Sequence, residues 1–184
     1  MPKSFKNYPN CRVIIDCTEI KCDTPSRVDE RVLYYSSYKG GFTIKFLIGI
    51  APNGQIIFVS KVYGGKAIDG FITNDSGFLE CLESGDEILA DKGFPEIRKE
   101  VLQRHCTLTM PPFAISDKPK FSKEEVLECY SVASIRIHIE RAIQRIKTFK
   151  IFYHIYAEQF EYVDEIMYIA CVLANNKDPL IAEE

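Results

Sequence analysis

Three β-rich runs in the first third of the chain, RVIIDCTEI (12–20), GFTIKFLIGI (41–50) and QIIFVSKVY (55–63), constrain the fold more than any other feature. Runs this short, rich in β-branched and aromatic residues and punctuated by turn residues, read as strands, and the APNG between the second and third predicts a hairpin. A fourth, buried strand is expected over the apolar run of EILAD, 87–91. The rest reads as helix. SGFLECLES resembles a short helix, PEIRKEVLQRH has helical spacing with proline near its first turn, and EYVDEIMYIACVLANN continues the pattern. From Ser122 to Phe152 there is neither Gly nor Pro, and Ser122 followed by Glu125 matches a capping box. The proline-containing stretch before it, about 107–122, reads as an ordered loop or an insertion. Strands first and helices after them predict an α/β (α+β) domain.

At 184 residues and 46% hydrophobic, a single domain over 1–184 can bury a sizeable core. The seven cysteines are odd in number and scattered, with no CxxC pair and no secretory leader, which predicts a reducing, intracellular setting. Cys17, Cys22, His105 and Cys106 lack the paired spacing of a structural zinc site. No apolar run approaches the ~20 residues that span a bilayer, so a soluble domain without a membrane partner is expected. Net charge is −3, not the bulk signature of a nucleic-acid binder. Between Ile135 and Phe152, however, Arg136, Arg141, Arg145, Lys147 and Lys150 face a single acid, Glu140.

Two of the strand candidates end in an acid. VIID delivers Asp16 and EILAD delivers Asp91, and a carboxylate at the end of a buried strand must find a partner, shift its pKa or hold a metal. Were the strands neighbours, the two acids would repel unless a cation lay between them, and hard oxygen donors suit Mg²⁺ or Mn²⁺. Ile135, Ile139, Ala142, Ile143 and Ile146 fall at helical spacing, while Arg136, Glu140 and Lys147 line a neighbouring stripe of that helix. Such a helix could offer a carboxylate to a metal and cations to phosphates. The plainer readings are an i,i+4 ion pair between Arg136 and Glu140, and turn-capping roles for Asp16 and Asp91.

IIDCTEI, GGKAID, ILADKGF and ASIRIHIERAIQRIKTFKIF, in this order, resemble the catalytic domain of DDE-superfamily transposases of the PIF/Harbinger-like group, over about 9–180. The resemblance implies an RNase H-like fold, a central mixed β-sheet flanked by helices, with Asp16, Asp91 and Glu140 catalytic and Asp69 a further metal contact. It also implies divalent cations, Mg²⁺ or Mn²⁺, acting in two-metal hydrolysis and strand transfer on DNA, in the nucleus. Arg136 and Lys147, then Arg141 and Arg145, would contact the phosphate backbone. Ala133 stands where related enzymes often carry Tyr. No DNA-targeting domain is visible, so the resemblance implies a separate DNA-binding protein or a missing N-terminal domain, with a homodimer compatible.

Two other classes compete with a nuclease. A phosphatase using Asp16 as nucleophile would want an acid at position 18, where this chain has Thr18. A domesticated, non-catalytic DNA- or protein-binding domain would retain the same fold.

Overall fold

Most of the expected strands and helices are present in a computed structural model, which describes residue 2, residues 5–112 and residues 122–181, with the side chains of Glu125 and Glu128 excepted, while SGFLECLES, read as a short helix, forms only a 3₁₀ turn over Phe78–Cys81. The capping box at Ser122 and Glu125 rests on one of those side chains. Residues 113–121 of the presumed insertion also lie outside the described residues.

Strand β1 (Cys11–Lys21) is the centre of the sheet. β3 (Gly41–Ile50) pairs antiparallel with it over Ile14↔Ile50 to Lys21↔Thr43, and β6 (Glu87–Leu89) pairs parallel with it on the other side. β7 (Thr107–Thr109) extends the sheet parallel to β6. The outer edge of β3 carries β2 (Tyr35–Ser36), β5 (Tyr63–Gly64) and β4 (Ile56–Val59). Among the described residues the order is therefore β2-β3-β1-β6-β7, with β4 and β5 also on β3. The APNG turn closes the β3–β4 hairpin, with Gly54 at φ +85° where other side chains are strained.

Period-two alternation sorts the side chains of β1 between two layers. Ile14 and Ile20 join Ile44, Phe46, Ile48 and Leu89 beneath α4 (Lys123–Lys147) and α5 (Val163–Asn175). Val13 and Ile15 join Leu47, Ile88 and Leu108 beneath α2 (Asp69–Asp75), the 3₁₀ turn Phe78–Cys81 and α3 (Arg98–Gln103). α4 buries Val132, Ile135, Ile139, Ala142 and Ile146, a stripe at three- and four-residue spacing. α5 is fixed to the β4 edge by polar contacts: the Asn175 amide pairs with both backbone groups of Ile56 at 2.8 Å, and Asp164 Oδ1 accepts from the Val62 amide at 2.7 Å. Those bonds occupy groups that an open sheet edge would offer to another chain.

Three local readings change. QIIFVSKVY is split in two, and the Ser60 hydroxyl fills the break by accepting from the Leu47 amide (2.9 Å) and donating to the Lys61 carbonyl (2.7 Å). α1 (Val28–Tyr34) runs through the end of a segment read as loop; it has no buried residue, so it carried no apolar period to find. Thr107–Thr109, read as the start of the insertion, is strand β7. Among the described residues no helix is long and apolar enough to cross a membrane.

Candidate active site

Alternation along β1 that sends Ile14 and Ile20 under α4 sends Asp16 the same way. Asp16 lies at the middle of β1 and not at a strand end as expected, because pairing with β3 continues to Lys21, and its Oδ1 accepts the Cys17 amide at 2.8 Å. Asp91 follows β6 by two residues and shares the orientation of Leu89. Its Oδ1 accepts the Gly93 amide at 2.6 Å, so the turn-capping role and the convergence on Asp16 coexist in one residue. Gly93 is required there by space rather than by backbone freedom. A Cβ at this position would lie 2.8 Å from Asp91 Oδ1 and 3.0 Å from Asp69 Oδ2, so the absent side chain lets these two carboxylates approach one another.

The third element is α4. At about 100° per residue, Arg136, Glu140 and Lys147 fall within roughly 40° of one another, beside the buried stripe. One guanidinium nitrogen of Arg136, Nη2, stands 3.9 Å from Asp16 Oδ2, 3.7 Å from Asp91 Oδ2 and 3.8 Å from Glu140 Oε1. A strand, the segment after a second strand and a helix thus direct three acids at a single cationic atom. The i,i+4 pair of Arg136 with Glu140 exists, but it is one side of this larger cluster.

Asp69 begins α2, and its Oδ1 lies 3.1 Å from Lys45 Nζ. Lys45 also lies 3.4 Å from Glu19 Oε1, while Glu19 Oε2 accepts the Thr43 hydroxyl at 2.9 Å. Burial alone would lower the Lys45 pKa; the Asp69 and Glu19 carboxylates more than reverse this and hold the ammonium charged. Sequence reasoning missed Lys45, although a lysine inside the otherwise apolar GFTIKFLIGI was itself the signal of a paired, buried cation.

The Asp16 pKa is pushed up to about 6, first by burial, then by the Asp91 and Asp69 charges, against the pull of Arg136 and of the Cys17 amide. A raised carboxyl pKa means that the folded protein keeps a proton which the unfolded chain has released. This contribution to stability is fully present below the ordinary carboxylate range and is lost as pH rises through about 6. Asp16→Asn, which needs no ionisation, should therefore stabilise the metal-free protein at pH 7.5 by on the order of 1–3 kcal/mol, a rise of a few degrees in Tm. At pH 4 the change should be small. Calorimetry in EDTA at both pH values checks this, and an equal shift at the two would contradict it.

Lys147 borders a cleft of about 280 Å³ with Asp16, Glu19, Lys39, Tyr38 and Glu140. Its pKa is lowered by burial and then by Lys39, with Asp16 and Glu19 opposing. The cleft thus holds two cations, Lys147 and Lys39, beside the acids. Arg141 and Arg145 are not brought to it. They lie on the other flank of α4, along a separate groove of about 1670 Å³. Arg145 Nη1 donates to the Asp178 carbonyl at 2.7 Å, which ties it to the segment after α5. Arg136 lies among the acids rather than on an open face.

The donor chemistry suits a hard divalent cation: carboxylates from three separate elements surround a point that already attracts positive charge. As placed, no three His, Cys, Asp or Glu among the described residues stand at ligand spacing around one point, and the Arg136 nitrogen lies between the acids. Cys17, Cys22, His105 and Cys106 form no zinc cluster either, and all seven cysteines are free. Among comparisons with known proteins, the family model described as DDE superfamily endonuclease matches residues 15–175. No curated protein and no solved structure matches the chain significantly.

Proposed function

Because the chain belongs to the DDE superfamily endonuclease family, we propose that it cleaves DNA phosphodiesters, and joins strands where a 3′-hydroxyl is the nucleophile, with Mg²⁺ or Mn²⁺ bound by Asp16, Asp91 and Glu140. Asp69, beside Asp91 across Gly93, is the further candidate ligand. The observation that carries this reading is the convergence of the three acids on one cationic atom at 3.7–3.9 Å. An RNase H-like assignment is supported by the arrangement of the sheet, in which β4, β3 and β1 run antiparallel in turn and β6 and β7 continue parallel to β1.

Divalent cations in such a site supply Lewis-acid activation of the attacking oxygen and charge neutralisation at the leaving one. The protein's own residues do the rest. Asp16 and Asp91 are fixed by backbone hydrogen bonds, so their oxygens are positioned in advance. Glu140, on the more exposed side of the cluster, closes it from the helix. Lys147 and Lys39 neutralise the phosphates of a strand laid in the cleft, and Lys45 restrains Asp69. Arg141 could reach DNA only along the far flank of α4, and Arg145 is engaged by backbone carbonyls. The substrate would be transposon ends or sites derived from them, in the nucleus, with targeting by a separate DNA-binding protein or domain and a second copy of the chain as a compatible partner.

Nicking of supercoiled plasmid in Mg²⁺ or Mn²⁺ but not in EDTA tests this function. Metal binding without turnover on any DNA form, with a DNA-binding partner added, would favour the binding-only alternative. Hydrolysis of a small phosphomonoester with DNA left intact would point to a phosphatase instead. Gly93→Ala should lower Mn²⁺ affinity about tenfold or more, because the new methyl group would displace Asp91 and Asp69; titration calorimetry measures it, and unchanged affinity would contradict the arrangement.

A further inference from the structure

The acid cluster already has a cation, and it belongs to the chain. Arg136 Nη2 lies 3.7–3.9 Å from an oxygen of each of Asp16, Asp91 and Glu140, beyond the 2.7–3.2 Å of an N–H···O hydrogen bond. Its Nε is buried and makes no hydrogen bond. The guanidinium is therefore held at this place by charge, and no short hydrogen bond to the acids must break for it to leave. A fixed structural arginine would show the opposite, a planar fork engaged with one carboxylate at hydrogen-bond distance.

We propose that Arg136 is a displaceable internal counter-ion: it offsets the repulsion among Asp16, Asp91 and Glu140 in the metal-free protein, and a divalent cation must move it aside to bind. The proposal rests on the metal reading above and adds a competitor for the same oxygens. Metal affinity is then set partly by Arg136, since cation and guanidinium cannot both occupy the point where the acids converge. The metal-free protein remains assembled because the cluster is never left without positive charge.

Arg136→Met removes the charge while keeping an unbranched apolar stem, and Arg136→Lys keeps the charge on a more compact head. Titration calorimetry with MnCl₂ alone, together with melting temperature in EDTA, reads both halves of the proposal. Arg136→Met should bind Mn²⁺ about tenfold more tightly than the wild type or better, and melt several degrees lower in EDTA, so that Mn²⁺ raises its Tm by more than it raises that of the wild type. Arg136→Lys should fall between the two in affinity, and it carries the test should Arg136→Met fail to fold. Mn²⁺ affinity equal to or weaker than the wild type's in the variants would overturn the counter-ion role and leave the metal site standing. Absence of Mn²⁺ binding in the wild type and in both variants would overturn the metal reading and this proposal with it.

Discussion

Asp91→Asn should abolish metal-dependent nicking, lowering the rate by at least about a thousandfold, while the protein still folds. Asparagine keeps the side-chain oxygen that accepts the Gly93 amide, so the turn after β6 survives. What disappears is one negative charge facing Asp16 and Glu140 across the Arg136 nitrogen. An ion so held supplies several kcal/mol to the transition state, and each 1.4 kcal/mol is a factor of about ten in rate. The same substitution relieves repulsion on Asp16, so the melting temperature in EDTA at neutral pH should not fall. Activity loss with a retained Tm marks a chemical role. A parallel loss of both would mean that Asp91 is needed mainly for the turn.

Lys45→Met is expected to have the largest effect on stability. Lys45, Glu19 and Asp69 form a charge group between β1, β3 and the start of α2, and the lysine and Glu19 side chains are only 12% and 11% exposed. Removing the cation leaves two carboxylates in each other's field with little water to screen them, a loss of about 3–5 kcal/mol. For a chain of this size that is a fall in Tm of roughly 10 °C. Glu19→Gln added to Lys45→Met should recover part of it, because one unpaired charge is removed. Thermal melting of the wild type, the single variants and the double variant measures the coupling. Additive losses would show that the lysine does not hold the two acids together.

The residues that carry the candidate site were legible where local pattern places them. A strand with β-branched residues up to Asp16 could only present that acid at a sheet surface, and the three- and four-residue spacing of Ile135, Ile139, Ala142 and Ile146 put Arg136 and Glu140 beside the core. The contents of the cluster depend on pairings that lie far apart in sequence. Nothing local says that β6 runs parallel beside β1, and it is this pairing that brings Asp91 to Asp16. Lys45 meets Glu19 through the antiparallel register of β3 on β1, a contact that the acid-strand pattern alone does not reveal. Helix periodicity gives the face of α4 on which Arg136 lies but not what faces it, so the acids around its Nη2 are not legible in the sequence. β7 escaped because three residues are too few to show alternation.

In a crystal of the wild-type protein soaked in Mn²⁺, the anomalous signal locates the ion independently of any assay. Mn²⁺ is expected on oxygens of Asp16 and Asp91, with Glu140 completing the protein ligands and the Arg136 guanidinium moved out of the cluster. Mn²⁺ absent from these acids at a saturating concentration, with Arg136 still between them, would contradict this placement.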